Sequence, residues 1–200
     1  MKRLAEPAGP DVVAVAGPNG AGKSTVGARL LEETLRVRQF VNADDIARGL
    51  SGFAPESAAF EAGRVMLRRM HELARRRETF AFETTLSGRG HARLIGELLA
   101  AGYTFHLIYL WLESPELALQ RVAERVRRGG HGVAAAVVRR RYHRGLRNFR
   151  AIYRPLATTW KVYDNSAATP ARPIAMGSGA EVAEIVDVET WQRLEGSDPR

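Results

Sequence analysis

The residues best suited to chemistry open with Gly17-Pro18-Asn19-Gly20-Ala21-Gly22-Lys23-Ser24-Thr25. The spacing is G-x-x-x-x-G-K-[ST], that of a phosphate-binding loop. Its glycines let the backbone turn tightly and aim N–H groups at phosphate oxygens. A helix start after the loop adds partial positive charge. Lys23 is expected to reach the β- and γ-phosphates, the Ser24 hydroxyl to coordinate Mg²⁺, and Thr25 to touch the α-phosphate. Two acids, Asp44 and Asp45, follow a short apolar run, and either suits a base that takes a proton from an attacking hydroxyl. Glu83 ends another apolar run and is followed by Thr84 and Thr85. It suits orientation of a substrate hydroxyl, a hold on magnesium-bound water, or the base itself. Arg121, Arg125 and Arg128 recur at i, i+4 and i+7, and Arg139, Arg140 and Arg141 follow the turn Gly129-Gly130-His131-Gly132. Two arginine-bearing helices on a glycine hinge read as a lid that closes guanidinium groups onto a transferring phosphoryl group.

These groups need a scaffold that gathers them. Asp11 to Ala16 is a β-branched apolar run suited to a buried parallel strand, and Ser24 to Arg36 carries Val26, Leu30, Leu31 and Leu35 at helical spacing. Further strands are expected at 39–42, 79–82, 105–112 and 160–163, the fourth of the series being central because it is almost wholly apolar. Helices are expected from Pro55 to about Arg77 with Phe60, Met66, Leu67, Met70 and Leu73 on one face, from Gly90 to Ala100, from Ser114 to Gly129, and from Val133 to Tyr153, stopping before Pro155. A short strand at 174–176 and a strand or helix within 180–194 complete the chain. Alternation of strand and helix predicts an α/β P-loop NTPase fold, a parallel sheet flanked by helices, with an arginine-bearing helical lid over about 115–155. In such sheets ligands lie beyond the carboxyl ends of the strands, where the phosphate loop, Asp44, Glu83 and Asp164–Ser166 should crowd together. One domain over 1–200 is expected, with 1–10 a loose tail.

Bulk composition narrows the classes. The chain has 200 residues, 45% of them hydrophobic and 26% charged, as in ordinary globular proteins. No run approaches the roughly 20 apolar residues that span a bilayer, and the N-terminus lacks the apolar core of a signal peptide. The absence of cysteine excludes disulfides and thiolate zinc sites. A cytoplasmic protein with no membrane partner is the expectation. The net charge of +8 comes almost entirely from arginine, since the lysines are only Lys2, Lys23 and Lys161. Arginine favours bidentate phosphate contacts, in small molecules or in nucleic acid. The five histidines show no metal-binding pattern; His131 in the hinge is the one with a prospect of touching substrate.

Taken together, Ala16–Thr25, Asn42-Ala43-Asp44, Phe82-Glu83-Thr84-Thr85-Leu86-Ser87-Gly88, Arg121–Val126 with Gly129-Gly130-His131, and Tyr163-Asp164-Asn165-Ser166 resemble the zeta-toxin-like P-loop kinases, and more narrowly a short subgroup of predicted ATPases. The resemblance covers most of 11–166. It implies transfer of the ATP γ-phosphate, with Mg²⁺, to a hydroxyl of a small molecule. UDP-N-acetylglucosamine is the acceptor of the larger members, which epsilon-type antitoxin proteins restrain. It makes Asp44 the catalytic base, with Lys23 and Arg125 assisting, and Glu83 with Thr85 the substrate-orienting pair. ATP contacts fall to the loop 17–25, Arg121 and Asn165, the last beside Ser166 near the adenine. Arg128, Arg140 and Arg141 join the lid. The chain is shorter than the larger toxins, and Thr84 stands where they favour glycine.

Two other readings compete. Leu86-Ser87-Gly88-Arg89-Gly90 resembles the signature loop of transporter ATPases, but Leu112-Glu113 lacks the aspartate such a site needs for Mg²⁺, and there is no room for the helical subdomain. A polynucleotide kinase or nucleic-acid-binding ATPase is the alternative to a metabolite kinase. It is disfavoured because no aromatic-rich basic platform is present. The acceptor pocket is expected to be shaped by loops 46–60 and 85–92.

Overall fold

A computed structural model describes residues 9–27, 37–52, 55–167 and 170–196. Seven strands form one sheet: β1 (Asp11–Ala16), β2 (Gln39–Val41), β3 (Phe80–Thr84), β4 (Thr104–Trp111), β5 (Thr159–Asp164), β6 (Arg172–Ser178) and β7 (Glu181–Ile185), in the order β2-β3-β1-β4-β5-β6-β7. The first five are parallel, and β4 lies at the centre as its apolar sequence requires. β6 and β7 run antiparallel, which corrects the expectation of an all-parallel sheet. The reason is connection length: too few residues separate β5, β6 and β7 for crossover helices, so the chain must turn back on itself. The segment 180–194 holds both a strand and the helix α6 (Val188–Gly196).

Side chains of β1 alternate between two cores. Val12, Ala14 and Ala16 join Phe80, Phe82, Tyr109 and Phe149 on one face, whereas Val13 and Val15 join Leu110, Leu112, Val122 and Tyr142 on the other. Helices α1 (Ala43–Leu50), α2 (Ala59–Arg75), α3 (Gly90–Ala100), α4 (Pro115–Arg127) and α5 (Ala135–Asn148) pack around them. Ser114 caps α4 by accepting from Leu117 N, with Pro115 in the first turn, and Gly102 follows α3 at φ +82°.

Three expectations meet corrections or limits here. Phe60, expected on the buried face of α2, is 81% exposed. The helical path does not stop before Pro155; a wide π-helical turn at Phe149–Tyr153 leads into a last helical turn at Arg154–Leu156. Proline is tolerated there because it sits in the first turn of a restarted helix, where its missing N–H costs nothing. After the phosphate loop, Lys23–Gly27 forms a π-helical turn; the expected helix beyond it lies outside the described residues, as do residues 1–8 of the tail. Among the described residues no helix is long and apolar enough to cross a membrane.

Candidate active site

β1 delivers the chain into the phosphate loop at the carboxyl edge of the sheet. Gly17 adopts φ +145°, and a Cβ there would lie 2.3 Å from Leu110 O, so this position demands glycine. Gly20 and Gly22 also take positive φ, and the loop closes through Ala21 N to Pro18 O and Thr25 N to Gly22 O. Lys23 is buried, and its Nζ donates to Pro18 O at 2.9 Å. Burial pushes the Lys23 ammonium below its ordinary value; Glu83 and then Asp44 act against that shift, and Arg125 adds to it. Asn19 Oδ1 is buried without a hydrogen-bond partner among the described residues.

β3 runs beside β1 and places Glu83 next to the loop. Its carboxylate accepts from Ser24 Oγ at 2.8 Å and from Asn42 Nδ2 at 3.1 Å, and lies 3.6 Å from Lys23 Nζ. Asn42 also caps α1, its Oδ1 accepting from Asp44 N at 2.8 Å. One side chain thus ties the start of α1 to Glu83. That helix start carries both acids, and they diverge. Asp44 lines the cavity, with Oδ2 3.4 Å from His131 Nε2; Asp45 pairs with Arg48 at the surface. The geometry separates two residues that sequence alone left as alternatives.

The arginines also diverge. Arg125 lines the cavity, with Nε and Nη2 buried and lacking hydrogen-bond partners among the described residues. Arg141 enters from α5; burial lowers its pKa, the Asp44 carboxylate acting against this. By contrast Arg121 donates to Ser166 O and Ala167 O, Arg128 pairs with Glu124, Arg139 pairs with Glu116, and Arg140 is exposed away from the cavity. The expected lid arginines Arg128 and Arg140 are therefore not brought to the site. The two helices are also tied to the rest of the fold. Tyr142 donates to Leu112 O at 2.6 Å, Asn148 to Leu86 O and Tyr153 to Gly88 O. A Cβ on Gly145 would lie 2.3 Å from Thr85 O. Ala118, Val122, Val138 and Tyr142 pack against the sheet in one core.

These groups open into one cavity of about 430 Å³. Its far wall is α2, through Phe60, Gly63, Arg64, Met66 and Leu67, facing Thr85, Ser87, Gly88 and His91 after β3. Thr85 Oγ1 and Ser87 Oγ hydrogen-bond each other at 2.9 Å. His91 packs at a tilt against Phe82 and lines the cavity, and burial lowers its pKa. Asn165 lies against the loop, its Nδ2 donating to Ala21 O at 2.8 Å. Ser24 and Thr25 are exposed at the loop's end. Glu113, the acid of the transporter-like reading, is exposed and does not line the cavity. Sequence reasoning passed over Asn42 and Arg64. An Asn two residues before a strand-end Asp is a capping signal that marks the first; nothing local marks the second.

The residues fit a nucleoside triphosphate. The glycine cradle and the unpartnered Arg125 nitrogens suit an anion at the loop. Among the described residues no cluster of three His, Cys, Asp or Glu side chains offers a metal cage. The adjacent Ser24 hydroxyl and Glu83 carboxylate suit Mg²⁺ shared with phosphates, a hard cation that keeps oxygen ligands and water.

Comparison with known proteins agrees with this geometry. In fold, the chain is similar to AvrRxo1-ORF1, solved in complex with ORF2 and with ATP (TM-score 0.72, 16% identity, 96% of this chain). It spans 64% of the length of that matched chain. It is similar also to a structure of the PezAT chromosomal toxin-antitoxin system of Streptococcus pneumoniae (TM-score 0.61, 14% identity, all of this chain and 89% of that one). A gluconokinase from Sinorhizobium meliloti aligns over 80% of this chain and 84% of its own (TM-score 0.51, 18% identity). At these identities the likeness is one of fold, that of P-loop kinases. In sequence, an uncharacterized protein of Haemophilus influenzae is 32% identical over 126 residues, 63% of this chain and 88% of that protein. Residues 12–152 match the profile of the AAA domain family AAA_33, and the chain belongs to that family.

Proposed function

We propose that this protein is an ATP-dependent kinase that phosphorylates a hydroxyl of a small molecule, and that residues 1–200 act as one kinase domain. The observation that carries the reading is the convergence of Lys23, Asp44, Glu83, Arg125 and Arg141 on one cavity at the carboxyl edge of the sheet. Asp44 takes the acceptor's hydroxyl proton as the acceptor oxygen bonds to the γ-phosphorus and the bond from that phosphorus to the leaving ADP oxygen breaks. Lys23 and Arg125 hold the phosphoryl oxygens, and Arg141 lies beside the base. Ser24 and Glu83 would hold Mg²⁺, which would supply charge neutralisation on the phosphates. Glu83 thereby moves from the substrate toward the metal, while Thr85 and Ser87 remain to orient the acceptor. Loop residues 17–25 hold the phosphates; Arg121 and Asn165 act by bracing the loops on either side.

For the acceptor we propose a UDP-sugar such as UDP-N-acetylglucosamine. The zeta-toxin-like pattern of residues supports this, as does a cavity wider than a phosphate group requires. The fold likeness to chains solved in toxin-antitoxin work adds an antitoxin-like protein as a proposed partner. The test is incubation with labelled Mg-ATP and a panel of UDP-sugars beside Lys23→Ala. Label on a UDP-sugar, absent with the variant, is the expected result. ATP bound without transfer to any UDP-sugar would retire that acceptor and move the search to nucleosides, free sugars and RNA ends.

A further inference from the structure

The turn joining α4 to α5 carries His131 between Gly130 and Gly132, and the imidazole points inward although Gly129 and Gly132 are exposed. Its Nε2 lies 3.4 Å from Asp44 Oδ2, and the side chain is only 18% exposed. The turn is fastened at the same place: Gly130 N donates to Arg125 O at 2.9 Å, and a Cβ on Gly130 would lie 2.7 Å from Arg125 Cγ. Gly129 supplies the φ of +87° that lets the chain fold back. The charged groups facing this pair are Arg125 from α4, Arg141 from α5, and Lys23 with Glu83 from the loop and β3. No role in the proposed reaction requires an imidazole here, and a histidine at the tip of a glycine turn has no packing reason to face a carboxylate.

We infer that His131 is a positioning residue for the base. The imidazole set beside Oδ2 holds the Asp44 carboxylate in one rotamer and leaves its other oxygen for the acceptor hydroxyl. The acceptor proton goes to Asp44, and His131 neither gains nor loses one. Because the turn is fixed to Arg125, the imidazole and the phosphoryl-facing guanidinium are set by the same segment, so base and phosphate contacts are assembled together. The inference rests on the kinase reading above.

The test uses the full chain with Mg-ATP and water as the acceptor, so no acceptor need be known. His131→Ala is expected to lower kcat for ATP turnover by about tenfold to a hundredfold, the scale of a misplaced reacting group, with KM for ATP unchanged. His131→Gln, whose amide N–H can reach the same oxygen, should restore most of the rate. In an Asp44→Asn background the same alanine change should add little to the loss, because the two residues act as one unit. A fall in Asp44→Asn turnover with His131→Ala at the wild-type rate would overturn this inference alone. So would an alanine effect confined to KM, or one that Gln fails to rescue. Wild-type turnover in Asp44→Asn, or turnover that ignores Lys23→Ala, would instead overturn the kinase reading.

Discussion

Replacing Glu83 by Gln isolates the charge that offsets the buried Lys23. The amide oxygen can still accept from Ser24 and Asn42, so the variant keeps two hydrogen bonds and loses the ion pair. At the observed 3.6 Å, and at an effective dielectric of about 20, the attraction is about 5 kcal/mol. The gain from no longer burying a carboxylate returns part of this, leaving a net loss of about 2–3 kcal/mol in the nucleotide-free protein. For a chain of this size that is a fall in Tm of about 4–12 °C. The pH dependence carries the sharper signature. Burial already holds the folded-state pKa of Lys23 below its ordinary value of 10.5, and Glu83 is the largest influence raising it. A lysine lowered by folding destabilises the fold while protonated, and stability recovers as pH rises from the folded value toward the unfolded one. Loss of Glu83 widens that window downward, so the variant's deficit should be greatest below the folded value and shrink as pH rises toward the unfolded value. Urea unfolding followed by circular dichroism, at several pH values without nucleotide, reads both effects. A variant as stable as wild type, or a deficit that grows with pH, would refute the account of Lys23 as a buried cation held by Glu83.

The other expectations address the site and its supports. Asp44→Asn should bind a fluorescent ATP analogue normally and lose about 10²–10⁴-fold in turnover, whereas Asp45→Asn should lose little; equal effects would undo their assignment to different roles. Arg125→Ala should cost about 10³-fold in turnover while Arg128→Ala changes it by about twofold at most, because only the first faces the cavity. Tyr142→Phe removes a buried hydrogen bond to Leu112 O and should lower stability by about 1 kcal/mol in a denaturant titration, with turnover retained. Gly145→Ala drives a methyl into Thr85 O and should depress acceptor-dependent transfer more than ATP binding.

Much of the fold could be read from the chain because strands and helices alternate and each strand is a compact apolar run. The phosphate loop, the central place of β4 and the Ser114 cap are local signals, and the structure has them where the residues place them. What escaped depends on partners distant in sequence. The antiparallel hairpin β6–β7 is weakly apolar, its second strand is wholly exposed, and its pairing comes from turn length rather than pattern. Phe60 has the spacing of a core residue, but its ring is left exposed at the wall of the cavity.

The arginines show the limit most clearly. Helical spacing puts Arg121, Arg125 and Arg128 on one face, but a side chain of that length is placed by what its guanidinium finds. Arg121 finds the carbonyls of Ser166 and Ala167, Arg128 finds Glu124, and Arg125 alone is left facing the cavity with buried nitrogens unmatched. An unmatched buried guanidinium costs free energy in the empty protein, and an arriving phosphate removes that cost. The same holds for Asn19 Oδ1, whose partner must be a donor: a phosphate cannot serve, but bound water or an acceptor hydroxyl can. The site is thus polarised in two senses, with donors at Arg125 and an acceptor at Asn19. That asymmetry suits the proposed kinase, whose two ligands would bring both anionic oxygens and hydroxyl or water protons.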